Sequence, residues 1–161
     1  MRKPILYILC GCPGCGKTYW ANKFMYNLIN TKYVSRDEIR LSLLNNDEEY
    51  FSHEEEVFTK FVAMIRANLV DGYDCIADAT HLNVKSRKKL IHALDFYGKL
   101  DCQIIFVYFN APLEVCLGRN EQREGRARVP VNVIQSMRER FQKPAMTEDE
   151  RCIGLMLMKG Y

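Results

Sequence analysis

The stretch ILYILCGCPGCGKT, residues 5–18, decides the fold of this chain. It opens with a continuous apolar run, residues 5–10, which predicts a β-strand buried on both faces. Residues 11–18 then match the pattern G-x-x-x-x-G-K-[ST], whose glycines let the backbone wrap closely around phosphate oxygens. A helix predicted from Lys17 to about residue 30 adds a favourable dipole. The stretch therefore predicts a loop that binds the phosphates of a nucleotide.

Within this loop, two side chains and the main chain have separate expected roles. Lys17 is predicted to bridge the β- and γ-phosphates of ATP, and the Thr18 hydroxyl is a predicted ligand of Mg²⁺. The other predicted nucleotide-binding positions of the loop are Gly11, Pro13, Gly14, Cys15 and Gly16. The pattern specifies the nucleotide site and leaves the phosphate acceptor open.

Strands and helices alternate along the rest of the chain. Further strands are predicted near residues 33–34, 73–77, 104–109 and 153–158. Segments with helical spacing separate them. This alternation predicts an α/β fold of the P-loop NTPase type, a doubly wound parallel sheet with helices on both faces. One domain is expected over 1–161, with a short arginine-bearing lid at about 119–129.

A capping box, Ser35 with Glu38, predicts a helix directly after the second strand. Asp37 then lies in its first turn, where it either complements the helix dipole or accepts a proton from the hydroxyl that attacks the γ-phosphate. Arg40, one turn further on, either binds an anionic group of the acceptor or pairs with a nearby acid. A second box at 52–55 predicts the start of another helix.

Polar residues also follow the third predicted strand. Asp78 ends that strand, where a carboxylate would lie near magnesium-bound waters. No glutamate follows it, which favours a transferase over an ATP hydrolase. Thr80 and Asn83 are candidates for the acceptor pocket, although Asn83 is also a suitable helix cap.

Arginines are concentrated in the predicted lid. Arg119 and Arg123 share a helical face, and Arg126 follows on a segment that contains glycine. Guanidinium groups on a mobile segment can neutralise charge on a transferred phosphoryl group, whereas the alternative is solvated surface charge. The pattern leaves open whether Arg123 or Arg126 is the catalytic lid arginine.

Composition limits the class of protein. The net charge of +3 is too small to indicate nucleic-acid binding by itself, and the basic run 85–89 is typical of a solvated helix face. The seven cysteines are scattered, which favours reduced thiols and a cytoplasmic protein over disulfides or a structural metal site. No apolar run approaches the roughly 20 residues that a membrane span needs, so no membrane partner is expected. Nothing indicates the oligomeric state.

Together these segments resemble the kinase domain of the phage-type 5′-hydroxyl polynucleotide kinases. The matching pieces occur in the same order over about residues 4–140 and comprise the phosphate loop with its strand, 36–40, 78–83, 119–123 and 129–137. The segment Arg-Asp-x-x-Arg and the junction from the lid to the next helix are more specific than the loop. The resemblance implies ATP-dependent transfer of the γ-phosphate to the 5′-hydroxyl end of DNA or RNA, with Mg²⁺.

The resemblance also implies roles for the acceptor residues. Asp37 would be the general base, Arg40 would hold the 3′-phosphate of the acceptor, and Asp78 would organise the acceptor site. Thr80 stands where phage relatives can carry asparagine, so the contacts at this position are open. Val129 would lie against the terminal base of the acceptor.

On the donor side, the resemblance implies that Lys17 holds phosphates and that Arg119 and Arg123 contact them from the lid, Arg123 being the more important. The motif Asp-x-Asp-Gly-Thr is absent from these 161 residues, so a fused 3′-phosphatase is not expected. Two alternatives remain. One is a kinase for a nucleoside, sugar or antibiotic hydroxyl, and the other is a nucleotide-binding switch without an acceptor, against which Asp37 argues.

Overall fold

The computed structural model describes residues 2–159, which form a five-stranded sheet between two layers of helices. All strand pairs are parallel, and the spatial order is β2-β3-β1-β4-β5. The strands are β1 (Ile5–Cys10), β2 (Thr31–Ser35), β3 (Asp74–Asp78), β4 (Gln103–Phe109) and β5 (Cys152–Met158). The helices are α1 (Lys17–Met25), α2 (Arg36–Leu43), α3 (Glu54–Val70), α4 (Val84–Leu94), α5 (Leu113–Glu121) and α6 (Val131–Arg140). The α/β fold expected from the sequence is confirmed.

Successive side chains of β1 pack in two hydrophobic clusters, one on each face of the sheet, as expected for a strand covered on both faces. Leu6 and Ile8 pack in a cluster with apolar residues of α3 and α4. Tyr7 and Leu9 pack on the other face with residues of α1, α5 and α6. Helices therefore cover both faces of the sheet.

The carboxyl ends of three neighbouring strands bring the motif segments together. Ser35 and Asp78 are register partners at the ends of β2 and β3. The loop after β1 lies beside them, since the amide of Gly11 donates to the carbonyl of Thr80 at 2.8 Å. A ligand site at this edge follows from the topology, because the loops of a doubly wound sheet converge there.

Two helix boundaries differ from the prediction. Helix α1 ends at Met25 rather than near residue 30, and the side chain of Ile29 is fully exposed. The capping box at 52–55 is wrong, because α3 begins at Glu54 and the Ser52 hydroxyl donates to the carbonyl of Glu49 at 2.6 Å instead. The helix start predicted at Ser35 is confirmed, since the Ser35 side chain accepts a hydrogen bond from the Glu38 amide at 3.2 Å.

The basic run 85–89 is not one solvated face. Arg87 is fully buried, and its Nε donates to Glu148 at 2.8 Å while Nη1 donates to the carbonyl of His81. The His81 ring lies 2.6 Å from the carbonyl of Leu9, and burial lowers its pKa to about 4, so the ring is neutral near pH 7. Arg87 therefore fixes the loop after β3. None of the helices in residues 2–159 combines the length and the apolar character of a membrane span.

Candidate active site

A cleft of about 650 Å³ opens at the carboxyl ends of β1, β2 and β3. Nearly all of the predicted site residues line it: Pro13, Gly14, Gly16, Lys17, Thr18, Asp37, Arg40, Asp78, Thr80, Arg119, Arg123 and Val129. Gly11 and Cys15 are predicted site residues that do not line the cleft, since both are buried behind the loop. The sequence motifs thus converge on one cavity.

The phosphate loop depends on glycine at two positions. Gly14 and Gly16 have φ angles of 80° and 101°, in the left-handed region that L side chains rarely adopt. A Cβ on Gly14 would also lie 2.6 Å from the carbonyl oxygen of Cys116 in α5. At Gly11, a Cβ would lie 2.6 Å from the sulfur of the buried Cys15. The loop is therefore packed closely from behind, which keeps its open side for phosphate groups.

Lys17 lies inside this loop. Its Nζ donates to the carbonyls of Gly11 and Cys12 at 2.9 and 3.0 Å, and the side chain is buried. Nζ also lies 3.6 Å from Sγ of Cys15, so all three ammonium N–H groups have partners in the loop, and a phosphate oxygen would replace one of them. The loop thus fixes the position of the Lys17 ammonium beside the cleft, which the residue lines.

Oxygen atoms suited to Mg²⁺ lie beside the loop. The Thr18 hydroxyl donates to Oδ2 of Asp78 at 2.9 Å, and the Tyr33 hydroxyl donates to the same atom at 2.5 Å. Burial and the nearby Asp78 carboxylate raise the pKa of Tyr33 above its ordinary value, so this donor stays protonated. A hydroxyl and a carboxylate are ligand types that Mg²⁺ prefers, either directly or through water. These residues therefore fit the metal expected at a phosphate loop.

The Asp37 carboxylate also lines the cleft and is held by two donors. Arg40 Nη1 donates to Oδ1 of Asp37 at 2.5 Å, and the Tyr50 hydroxyl donates to the same oxygen at 2.9 Å. Arg40 also makes a bidentate pair with Glu54, 2.7 Å at each contact. Burial alone would lower the pKa of Arg40, but its hydrogen bonds with Glu54 and Tyr50 raise it. Arg40 thus pairs with acids, while Asp37 remains two-thirds exposed.

Arg36, in the same turn of α2, is bonded very differently. Its side chain is half-buried in the cleft wall, and its Nε is buried without a hydrogen-bond partner among the described residues. Its nearest acid is Glu54, at 3.5 Å from Nη2. Burial lowers the pKa of Arg36. The two arginines on one helical turn therefore differ, since Arg40 makes four hydrogen bonds to neighbouring side chains and Nε of Arg36 makes none.

The predicted lid comprises the end of α5 and the short 3₁₀ turn Gly125–Ala127. Arg119 Nη1 donates to the carbonyl of Gly14 at 3.1 Å, so this arginine lies against the phosphate loop. Arg123 lines the cleft, whereas Arg126 does not. Arg126 instead donates to the carbonyls of Asn45 and Asn46, beyond α2. The geometry favours Arg123 over Arg126 for a contact inside the cleft.

Val129 lines the cleft, and its main chain fixes its position. Its amide donates to Oδ1 of Asn120 at 2.9 Å, and Nδ2 of Asn120 donates back to its carbonyl at 2.7 Å. Thr80 also lines the cleft. Asn83 does not, and its side chain caps α4 by accepting from the Ser86 amide at 2.8 Å. Of the two interpretations of Asn83, the structure supports the helix cap.

Several residues of the site were missed from the sequence. Tyr50 and Glu54 lie 13 and 14 positions from their partners Asp37 and Arg40, across an irregular segment. No periodic pattern links residues at such a separation. Tyr33 gave a weak signal, as an aromatic residue near the carboxyl end of a predicted strand.

Comparison with known proteins assigns the family. A family model described as an AAA domain matches residues 6–144, most of the chain. The chain belongs to this family. Its five-stranded parallel sheet and phosphate loop give this member of the AAA domain family the fold of a P-loop kinase, which implies nucleotide binding.

Solved structures resemble this family member to different degrees. A chain in the structure of a Pnkp1/Rnl/Hen1 complex is 29% identical over 74% of this chain and 40% of its own length, with a TM-score of 0.63. A chain in the Pnkp1/Rnl/Hen1 RNA repair complex is 26% identical over 88% of this chain and 47% of its own length, with a TM-score of 0.66. The present chain thus spans less than half of either. A sugar kinase from Janibacter sp. HTCC2649 shares the fold at 19% identity, over 96% of this chain and 86% of its own length, with a TM-score of 0.63.

Proposed function

We propose that this protein is an ATP-dependent kinase that transfers the γ-phosphate to the 5′-hydroxyl end of DNA or RNA. The observation that carries the proposal is the Asp37 carboxylate, exposed in the cleft that the phosphate loop lines and held there by Arg40 and Tyr50. The resemblance of the Arg-Asp-x-x-Arg and lid segments to phage-type polynucleotide kinases supports the acceptor. The similarity to chains in two Pnkp1/Rnl/Hen1 structures, one of them of an RNA repair complex, also supports it.

Five side chains serve the donor site in this proposal. The Lys17 ammonium contacts the β- and γ-phosphates, and the Thr18 and Asp78 oxygens hold Mg²⁺ directly or through water. When bound, the metal ion neutralises charge on the phosphate oxygens. Arg123 reaches the transferred group from the lid, where it stabilises charge in the transition state, and Arg119 secures the lid against the loop.

Asp37 accepts the proton of the attacking hydroxyl. The oxygen of the acceptor forms its bond to the γ-phosphorus while the bond from that phosphorus to the bridging oxygen of ADP breaks. The proton leaves the acceptor oxygen for the Asp37 carboxylate late in this transfer. Arg40 and Tyr50 act by orienting that carboxylate, since both donate to its Oδ1 atom.

The acceptor would enter from the side of Thr80 and Val129. Arg40 is the proposed contact for the phosphate 3′ to the reacting nucleoside. Of the five N–H groups of a guanidinium, however, Glu54, Asp37 and the Tyr50 hydroxyl engage four of those on Arg40. A phosphate therefore meets Arg40 through the one remaining N–H group, or by displacing one of these partners.

This pairing favours a second candidate, a kinase for a small neutral alcohol. An arginine already neutralised by two carboxylates has little charge to offer an anionic acceptor. The Janibacter sugar kinase shows that the fold occurs in a protein of that name. A polyol or nucleoside hydroxyl needs only Asp37 and the donor residues. The two candidates therefore differ in whether a 3′-phosphate improves the acceptor.

The deciding experiment compares acceptors under identical conditions with labelled ATP. A nucleoside 3′-monophosphate should be phosphorylated at its 5′-hydroxyl about ten- to a hundred-fold better in kcat/KM than the bare nucleoside, as expected for an arginine–phosphate contact. Arg40→Ala should abolish this advantage and leave ATP affinity unchanged. If the bare nucleoside is phosphorylated as well as its 3′-monophosphate, or if a sugar is the preferred acceptor, the small-molecule kinase is the better interpretation. ADP release without any acceptor product would indicate a nucleotide switch.

A further inference from the structure

Arg36 stands out at the rim of the cleft because its charge has no strong partner. The guanidinium makes no hydrogen bond among residues 2–159, and its Nε is buried. A buried donor such as Nε that has no hydrogen-bond partner loses the hydration that it has in the unfolded chain, a cost that a bound anion would offset. Its neighbour Arg40 makes bidentate contacts at 2.7 Å with the acid, Glu54, that Arg36 only approaches. Arg36 is thus the less neutralised of the two.

A second cation from another helix meets Arg36 at one aromatic ring. The Cζ atom of Arg36 lies 5.4 Å from the centroid of the Phe58 ring, and Nζ of Lys89 lies 4.5 Å from the same centroid. Phe58 belongs to α3 and Lys89 to α4, and neither lines the cleft, whereas Arg36 does. The three side chains therefore form a short basic path that begins in the cleft and leaves it over Phe58.

We propose that Arg36 and Lys89, placed around Phe58, bind the phosphodiester groups of a single-stranded acceptor that lie beyond its first nucleotide. This inference rests on the proposed function, because it assumes that the 5′ end of the strand occupies the cleft beside Asp37. The strand then leaves the cleft past Arg36, which is adjacent to Asp37 in sequence, and continues towards α4. Two cations on one path match the repeating charge of a nucleic-acid backbone, whereas a small acceptor would end inside the cleft.

The chain offers matched variants for a test. Lys89→Gln removes one charge far in sequence from the catalytic segment, and Lys88→Gln removes the same charge from a neighbouring exposed position of α4. Among the described residues, the lysine of α4 that lies over the Phe58 ring is Lys89 and not Lys88, so Lys88 controls for the general charge of the helix. Arg36→Gln tests the other end of the path, and Arg36→Lys restores its charge. Thermal melting reports whether each variant is folded.

The expected result depends on the length of the acceptor. For oligonucleotides of three or more residues, Lys89→Gln should raise the acceptor KM about three- to ten-fold at low salt with kcat unchanged. For a nucleoside 3′-monophosphate, the same variant should behave as the unmodified protein. Arg36→Gln should raise the KM of the oligonucleotide by at least as much, and Arg36→Lys should recover part of it. Effects of equal size in Lys88→Gln, or effects independent of acceptor length, would overturn the subsite.

Binding without chemistry separates this inference from the proposed activity. A fluorescent single-stranded oligonucleotide with a 5′-hydroxyl should bind in the presence of a non-hydrolysable ATP analogue, and the affinity should fall with salt. In a plot of the logarithm of the association constant against the logarithm of the salt concentration, Lys89→Gln should make the negative slope shallower by about 1, whereas Lys88→Gln should leave it unchanged. If no oligonucleotide is phosphorylated but this change in slope is observed, the proposed reaction fails and the subsite stands. If oligonucleotides are phosphorylated and the slope is the same in both variants, the subsite fails alone.

Discussion

In the phosphate loop, main-chain carbonyls hold Lys17 and Arg119, whereas around Asp37 the side chains hold one another. Lys17 and Arg119 donate to carbonyls of the phosphate loop. Asp37, in contrast, is held by Arg40 and Tyr50, and Arg40 in turn by Glu54. A site built on main-chain geometry tolerates changes of its neighbouring side chains, but a site built on a network of side chains changes with every member. We therefore expect the phosphate loop to depend on its backbone and the acceptor side to depend on each member of its side-chain network.

Removing the charge of Asp37 tests the acceptor side most directly. Asp37→Asn should lower kcat by about 10²-fold or more, because a positioned base is lost, and should leave ATP affinity nearly unchanged. Single-turnover rates and ATP binding measured in parallel separate the two effects. Glu38→Gln, which changes the next residue in the same first turn of α2, is the control and should keep nearly full activity. Near-normal turnover in Asp37→Asn would show that Asp37 is only an acid at a helix start.

On the donor side, we expect a change in the backbone of the phosphate loop to reduce ATP affinity. Gly14→Ala combines a φ of 80° with a Cβ only 2.6 Å from the carbonyl of Cys116, so the loop must move. A displacement of about 1 Å in such a site can cost about 10²-fold, and we expect a loss of this size in ATP affinity. Gly118→Ala in α5 is the control, because nothing lies within 4 Å of the added Cβ. A folded Gly14→Ala protein with unchanged ATP affinity would show that the loop is not held as rigidly as described.

The sequence predicted features that depend on neighbouring residues better than contacts between residues far apart in the chain. The phosphate loop was predictable because its function depends on glycine spacing and on the position of Lys17 between a strand and a helix, all local in sequence. The convergence of the segments after β2 and β3 on one edge of the sheet was also predictable, because strands and helices alternate in the sequence, whereas the register that places Ser35 opposite Asp78 was not. The partners of Arg40 were not predictable, because Glu54 reaches it across an irregular segment. The second capping box failed for a related reason, since Ser52 binds the preceding turn instead.

The lid arginines connect the two sides and should affect the transition state. Arg123→Ala is expected to lower kcat about ten- to a hundred-fold, the value of one charge-assisted contact, with a smaller effect on oligonucleotide affinity. Arg126→Ala is the matched comparison, because Arg126 donates to the carbonyls of Asn45 and Asn46 outside the cleft. Its kcat should change less. An essential Arg126 beside a dispensable Arg123 would mean that the lid rearranges before transfer.

The smallest expected effect is also the most specific to the network around Asp37. Tyr50→Phe removes only the hydroxyl that donates to Oδ1 of Asp37 at 2.9 Å, and the Arg40 contact to the same atom remains. Because one of two donors is lost from an exposed carboxylate, kcat should fall about three- to ten-fold with ATP affinity unchanged. Tyr26→Phe, at an exposed position after α1, is the control for loss of a tyrosine hydroxyl.

The double variant with Asp37→Asn makes the Tyr50 measurement decisive. If Tyr50 acts only by orienting the Asp37 carboxylate, then Tyr50→Phe should have almost no further effect once that carboxylate is gone. Independent, multiplicative losses in the double variant would instead show that Tyr50 contacts the acceptor itself. A loss of ATP affinity in Tyr50→Phe alone would contradict the division into two sides, because a residue of the acceptor network would then be holding the nucleotide. The acceptor side is a coupled network only if the two losses are not additive.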